Sequence, residues 1–516
     1  MTETQVVRMG PLSGALRAAR RLPAGAVAAG AGLLLAAGFA PLEWWPLALV
    51  CPAVLIALWQ GATPREAARL GFWFNAGTFA AGTYWLYISI HGFGGAPLWI
   101  AFGLMAGLVG IMGLYGAALG YAIARWLPAT GALRWMVAIP AAWLIVEWWR
   151  GWFLTGFSWL SLGYSQTDTW LASFAPVLGV YGISALLLVG AGALVTLAWG
   201  TPRERCCAAI ALLAPWVVGL PLHGVEWTHP TGEPVSVAIV QGAIPQDQKW
   251  LDTNRDTTLD LYRDLTREAL GARVIVWPES APPDLANNLG DYLLGVFREA
   301  HSRGSALVTG VVRADGDVYY NSVLSLGTSL GWYNKHHLVP FAEFFPVPQF
   351  VRTWLRLMSL PYSDFERGAA VQPPLKAGGL ALEASICYED AYGSSQLPTL
   401  ADADALVNVT NDAWFGHSTA RYQHFQIARM RAMEAGRFLL RAANDGVSAI
   451  IGPHGEIVAR APEYRAYVLK GSITAHRGLP PYAHVGNWLI ISLAAATLGA
   501  LAVRVRVSRA ATRRPR

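Results

Sequence analysis

The sequence predicts a polytopic α-helical membrane domain joined to an α/β layered domain, and three observations predict it. Of 516 residues 54% are hydrophobic and only 14% are charged, which excludes a wholly soluble chain of ordinary composition. Between Arg69 and Arg125 stand 55 residues without one Asp, Glu, Lys or Arg. The formal charge of +6 is also unevenly laid. Residues 224 to 483 hold 22 Lys and Arg against 27 Asp and Glu, a net −5, while the rest of the chain stands at +11. The basic excess belongs to the apolar part, so it does not point to a nucleic acid partner.

A helix of 55 residues would measure about 80 Å against a hydrocarbon core of about 30 Å, so this stretch folds back once. The break reads at His91 to Pro97 (HGFGGAP), where glycines and a proline interrupt the run. The same reading places spans near 24–41, 45–60, 71–90, 98–124, 134–149, 171–199 and 207–223, with an eighth at 485–503. The stretches 45–60 and 134–149 are short enough to be buried core helices, and the first span could be a signal peptide, although no convincing cleavage site follows it. The domain division is therefore 1–223 with seven spans, 224–483, and 484–516 with the eighth span and a basic tail.

Cytoplasmic loops retain positive charge during insertion. Arg8, Arg17, Arg20 and Arg21, then Arg65 and Arg69, Arg125 and Arg134, Arg203 and Arg205, and the tail from Arg504 to Arg516 fall on one side. Those 16 residues stand against Arg150 alone in the opposite short loops. Both termini are expected in the cytoplasm and residues 224–483 on the outer face. Only Cys387 of the four cysteines falls in that outer region, where it has no disulfide partner within it. A solitary thiol in an oxidising compartment is either a buried small hydrophobe or a reactive group.

The outer region reads as short strands at Val235–Gln241, Val274–Trp277, Ala306–Val312, Ser322–Leu326, Leu380–Cys387, Ala405–Thr410, Val447–Gly452, Glu456–Ala459 and Tyr467–Ile473. Helices are expected over Thr257–Ala272 and Tyr422–Arg437. Such alternation over about 250 residues predicts one helix-covered sandwich.

Three strand ends carry complementary chemistry: Glu279 in VIVWPESA, Lys335 and Glu343 in GWYNKHHLVPFAEFFP, and Cys387 in ASICYED. A nucleophilic thiol needs a base to take its proton, a nearby cation, and donors for the oxyanion formed on attack. A carboxylate, an ammonium and a thiol supply these. In this order, and followed by NDAWFG at Asn411–Gly416, the motifs resemble the nitrilase superfamily of carbon-nitrogen hydrolases. With seven spans before and one after, the whole chain resembles the bacterial apolipoprotein N-acyltransferase family.

That resemblance implies an αββα sandwich and a Glu279–Lys335–Cys387 triad. Cys387 would take an acyl chain from the sn-1 position of a phospholipid such as phosphatidylethanolamine, through a thioester. Glu279 would be the general base and Lys335 the oxyanion stabiliser. Glu343, Tyr388 and Glu389 would orient or support them, and Trp250, in QGAIPQDQKW, would touch substrate or act as a lid. The acceptor would be the α-amino group of the diacylglyceryl cysteine of a lipoprotein, at the outer face of the bacterial inner membrane.

His336 and His337 read as local structure beside Lys335. His417 and His424, seven apart with no cysteine near, do not make a metal site, and no cofactor is expected. Trp414 and Phe415 of NDAWFG would line a lipid-facing mouth or form only a turn. The stretch Phe344 to Ser363, with Trp354 and Leu355 on an apolar face, has an amphipathic, membrane-surface pattern and is expected to be a lid. Two rival classes stay open. A membrane-tethered amidase acting on a small amide would share the triad, although one span suffices for a tether. A transporter would place more charge inside the spans than Glu147 and Asp168.

Overall fold

The computed structural model describes residues 23–128, 130–344 and 365–512, the last five as backbone only. Helices stand at all eight expected places. The membrane domain begins with α1 (Ala24–Leu35), α2 (Leu47–Leu58), α3 (Pro64–Gly82), α4 (Leu98–Trp126), α5 (Ile139–Arg150), α6 (Ala175–Trp199) and α7 (Pro202–Leu222). Among the described residues, four helical segments are long and apolar enough to cross a membrane: Leu98–Trp126, Trp170–Trp199, Pro202–Leu222 and Trp488–Val507. Of the rest, α1, α2 and α5 are shorter than a full span, while α3 has 19 residues but opens on the polar stretch PREAAR. The expected span 71–90 is divided between α3 and a short helical stretch over Trp85–Phe93.

The early start of α3 has a local cause. Glu66 N donates to the Thr63 hydroxyl while Thr63 N donates to the Glu66 carboxylate, a capping box with Pro64 in the first turn. Thr201 and Glu204 repeat it at the start of α7. The sequence writes both as Thr-Pro-Arg-Glu, a signal that hydropathy alone passes over. Helices α3 and α4 then approach to backbone contact, since a Cβ on Gly116 would stand 2.2 Å from the Gly71 carbonyl oxygen.

Among the described residues, the strands of the two sheets lie between His229 and Arg477. One sheet has the order β12 (Tyr467–Arg477), β1 (His229–Gln241), β2 (Val274–Trp277), β3 (Ala306–Asp315), β4 (Val318–Leu326), β5 (Leu330–Asn334). The other runs β11 (Ile457–Arg460), β10 (Ala449–Ile451), β9 (Leu439–Ala443), β8 (Ala405–Thr410), β7 (Leu380–Ile386), β6 (Leu375–Ala377). The pairs β1/β2, β2/β3, β7/β8 and β8/β9 are parallel and carry nearly continuous apolar runs, as strands buried on both faces do. Alternate residues split between two layers. Val237, Ile239, Val274 and Val276 face Leu382, Ile386, Val407 and Leu440 across the sandwich.

Their neighbours Ala238, Val240, Ile275 and Trp277 pack outward under α8 (Asp252–Ala269) and α9 (Gly290–His301). Helix α10 (Ala420–Ala435) covers the second sheet through Phe425, Ala428 and Ala432. The result is the expected αββα sandwich, after which α11 (Trp488–Thr512) leaves the domain. Strands β5, β6 and β9 and helix α9 were not anticipated. β9, LLRAA, is short and carries Arg441 at its centre, which argues against a buried strand until the acids that neutralise it are seen.

Helix α10 is the hinge of the molecule's architecture, buried on nearly every side. One face lies on the second sheet. The other meets the loops of the membrane domain, where Gln423 Oε1 accepts from both Trp85 Nε1 and Trp159 Nε1 at 3.2 and 2.7 Å. Glu434, ion-paired with Arg431, accepts from Val180 N at 2.7 Å. The expected lid segment from Phe344 to Ser363, with Trp354, lies outside the described residues from residue 345 onward.

Candidate active site

Strand ends on the same side of the sandwich deliver the reactive groups. Glu279 follows β2 and Pro278, and its turn is tied to β3 by a hydrogen bond from Ala281 N to Gly310 O. Gly310 must be glycine here, because a Cβ would stand 2.5 Å from Glu279 Cα. Lys335 follows β5, its N–H donating to Asn321 O. Cys387 follows β7 at the first residue of a 3₁₀ turn, with a φ of +50° that a non-glycine residue adopts only when its surroundings enforce it.

The structure brings Glu279, Lys335, Glu343 and Cys387 together. Lys335 Nζ lies 2.9 Å from the Glu343 carboxylate and 3.6 Å from Glu279 Oε1, and its side chain is 1% exposed. Asn321 Nδ2 donates to both acids, at 2.7 Å to Glu279 and 2.9 Å to Glu343. Val339 N donates to Glu343 from the loop beyond Lys335. One ammonium thus sits between two carboxylates, and only one of these, Glu279, is left for proton transfer once Glu343 is taken up by Lys335, Asn321 and Val339.

Burial alone would strip the charge from Lys335, but Glu343, Glu279 and Cys387 outweigh it and hold the ammonium well above the ordinary lysine range. The Cys387 thiol moves the same way for a different reason. Burial first, then Glu279, push it up against the opposing pull of Lys335 and a hydrogen bond from Thr410. The resting pair is therefore a protonated thiol beside a permanent cation, and the thiol needs a base before it can attack.

Glu389 joins the two loops. Its carboxylate accepts from Ile386 N, His336 N, His337 N and Tyr333 Oη, at 2.8 to 3.0 Å, so the Cys387 turn and the Lys335 loop are fastened to one another. His336 and His337 serve there through their backbone. Tyr388 faces the other way, its hydroxyl donating to Gly156 O at 2.9 Å and its ring stacking on Trp159. Phe415 packs on Trp85, and Trp414 O accepts from Ser89 Oγ, so the NDAWFG turn is seated on the Trp85–Phe93 stretch. Trp250 is half-exposed beside Lys249.

Several groups escaped the sequence reading. Lys249 is fully buried and donates to the Glu279 carbonyl at 3.1 Å, and desolvation lowers it to about 8. Asn321 has no motif, and only its place in a buried stretch of β4 hints at a role. Asp390, Asp412, His424 and Arg441 form a buried cluster behind the Cys387 turn. Of these, Asp390 and Asp412 lay inside motifs that the sequence marked, ASICYED and NDAWFG.

Comparison with known proteins fits this arrangement. Residues 31–193 match the family described as "Apolipoprotein N-acyltransferase N-terminal domain", and residues 236–477 match "Carbon-nitrogen hydrolase". Proteins named "Apolipoprotein N-acyltransferase" are similar over most of their length. The one from Methylococcus capsulatus is 41% identical over 92% of this chain and 95% of its own. That from Azotobacter vinelandii is 41% identical over 95% and 96%, and that from Vibrio cholerae 40% over 88% and 92%. With the helical part and the catalytic part both matched in one relative after another, the chain belongs to the apolipoprotein N-acyltransferase family.

Proposed function

We propose that the protein transfers an acyl chain from a phospholipid to the α-amino group of the diacylglyceryl cysteine at the N-terminus of a lipoprotein, through a thioester on Cys387. The observation that carries this reading is the position of the thiol. It stands between a lysine–carboxylate pair on one side and, through Tyr388, the loops capping the apolar helices on the other. A soluble amide would need no such junction.

Glu279 takes the thiol proton as sulfur attacks the sn-1 ester carbonyl, the new C–S bond forms, and Lys335 stabilises the oxyanion. The C–O bond then breaks, Glu279 returns the proton to the leaving alkoxide, and lysophospholipid departs. In the second half the lipoprotein amine attacks the thioester, Glu279 accepts its proton, the C–S bond breaks and the thiol is reprotonated, leaving an amide. The order is ping-pong because one sulfur serves both substrates. Glu343 and Glu389 position the lysine and the two loops, while Trp250, Trp414 and Phe415 contact lipid. Phosphatidylethanolamine is the donor in this reading. Residues 1–223 and 484–516 form the membrane part, 224–483 the periplasmic domain, and both termini are cytoplasmic.

The test is mass spectrometry of the Cys387 peptide after incubation of purified protein with phosphatidylethanolamine. An acyl-sized mass increment matched by lysophospholipid is expected, and Cys387→Ala should show neither. A folded protein that gains no acyl mass yet hydrolyses a small amide would replace this reading with that of a membrane-tethered amidase.

A further inference from the structure

His424 projects from α10 into the space directly behind the Cys387 turn, where it is 1% exposed. Its Nδ1 lies 2.8 Å from Asp412 Oδ1 and its Nε2 3.1 Å from the Cys387 carbonyl oxygen, with Asp390 Oδ2 at 4.0 Å. A carboxylate and a peptide carbonyl are both acceptors. A neutral imidazole has one N–H and leaves one of these contacts repulsive, whereas the doubly protonated ring satisfies both.

The charges around the ring point the same way. Arg441 donates to Asp390 at 2.9 Å and to Asp412 at 3.0 Å, and all three side chains are fully buried. Asn408 and Ser385 also donate to Asp390, and Thr410 to Asp412. Burial would raise Asp412, but His424 and Arg441 outweigh it and bring it down to about 2. Two carboxylates with one guanidinium leave an excess negative charge in a dry site, which is costly without a second cation. The other cations on α10 are ion-paired outside the cluster, Arg421 with Asp445 and Glu463, Arg429 with Asp168 and Arg431 with Glu434. Arg421 and Arg431 act on Asp412 and Asp390 only by their field. Trp159 and Phe415 close the ring's remaining sides.

We propose that His424 is a positioning residue that acts as a buried imidazolium, donating to the Cys387 carbonyl and lending its positive charge to the thiol as it ionises. The hydrogen bond holds the strained Cys387 peptide in its positive-φ conformation. The charge partly offsets what burial, Glu279 and Asp412 do to the thiol, so Lys335 is not the sole cation serving the nucleophile. Because the same ring touches Trp159, the thiol's readiness is coupled to the loop that meets the membrane helices. This rests on Cys387 being the nucleophile, as proposed above.

The test is alkylation of the full-length protein in detergent by iodoacetamide across pH, with the Cys387 peptide followed by mass spectrometry, since Cys206 and Cys207 are exposed and also react. In His424→Gln, whose amide can still donate to the carbonyl, the midpoint for Cys387 is expected to rise by about one unit, the effect of removing one nearby positive charge. Thiolate at neutral pH, and with it the rate of thioester formation, then falls roughly tenfold while the melting curve stays cooperative. An unchanged midpoint in the folded variant overturns the proposal, and does so whatever acyl donor the enzyme uses. A readout on the unsubstituted protein stands beside it. Nitrogen-15 spectra of labelled histidine should show one ring that carries a proton on both nitrogens in the resting protein, with signals that move on alkylation of Cys387. Absence of such a ring also overturns it.

Discussion

At the scale of single residues, the site is governed by protons that burial has displaced. The Cys387 proton is held on sulfur by desolvation and by Glu279, so the carboxylate that hinders ionisation by its charge is, in the proposed mechanism, also the one that removes the proton. Position then matters more than charge, and Gly310 sets the position of Glu279. Gly310→Ala should leave the domain folded yet lower the rate of thioester formation about a hundredfold, the scale on which a misplacement of about 1 Å acts. Single-turnover acylation beside a melting curve separates the two effects. Glu383 supplies a pH dependence of stability. Burial chiefly, with the charge of Glu389, raises it to about 7 against a hydrogen bond from Thr399. The folded state therefore binds this proton more tightly than an unfolded carboxyl of pKa about 4.3. Its stabilising contribution is complete below that value and is lost as pH rises through about 7. Glu383→Gln should melt above the parent at pH 8, with the gap closing towards pH 4.5; a gap independent of pH would show that Glu383 is ionised throughout.

At the scale of elements, α10 carries more than its hydropathy suggests. A helix with polar residues on every turn would ordinarily be a surface helix. Here Gln423, His424, Gln426, Arg431 and Glu434 are buried because each has a partner on another element. Gln423 makes this testable. In Gln423→Ala the Trp85 indole keeps the Gly82 carbonyl, but Trp159 loses its acceptor, at about 1–3 kcal/mol for a buried unpaired donor. The expected outcome is a lowered melting temperature and faster proteolysis within residues 151–174, with phospholipid turnover falling as Tyr388 loses its stacking partner. A variant with the parent's cleavage pattern would mean that the two domains are held together without this residue.

At the scale of the whole molecule, the distribution of charge and the placement of the thiol make one consistent arrangement. In the proposed topology the mildly acidic sandwich stands on helices whose short loops are basic on the opposite side. A membrane-impermeant maleimide should therefore label an Asp317→Cys protein, at an exposed turn of the sandwich, from the outer side of intact inner membranes, while the exposed Cys206 and Cys207 react only after lysis. The reverse pattern would invert the proposed orientation.

What the sequence by itself determined is whatever is written in local order. The apolar spans, a helix-covered sandwich and the three strand-end motifs holding Glu279, Lys335 and Cys387 could all be read because each depends on residues adjacent in the chain. The αββα layering came only from the resemblance that those motifs carry. Even the missed start of α3 was written there, as Thr-Pro-Arg-Glu. What only the tertiary structure decided is which distant groups answer those motifs. Asn321 reaches both acids because β4 lies next to β3. Lys249 finds the Glu279 carbonyl across the site, and Arg441 becomes tolerable in a buried strand only where Asp390 and Asp412 converge on it. His424, which spacing marks only as a poor metal ligand, lands behind the thiol because α10 is folded between the second sheet and the membrane domain. Charge compensation in a dry interior is a property of convergence in space, and no stretch of sequence states it.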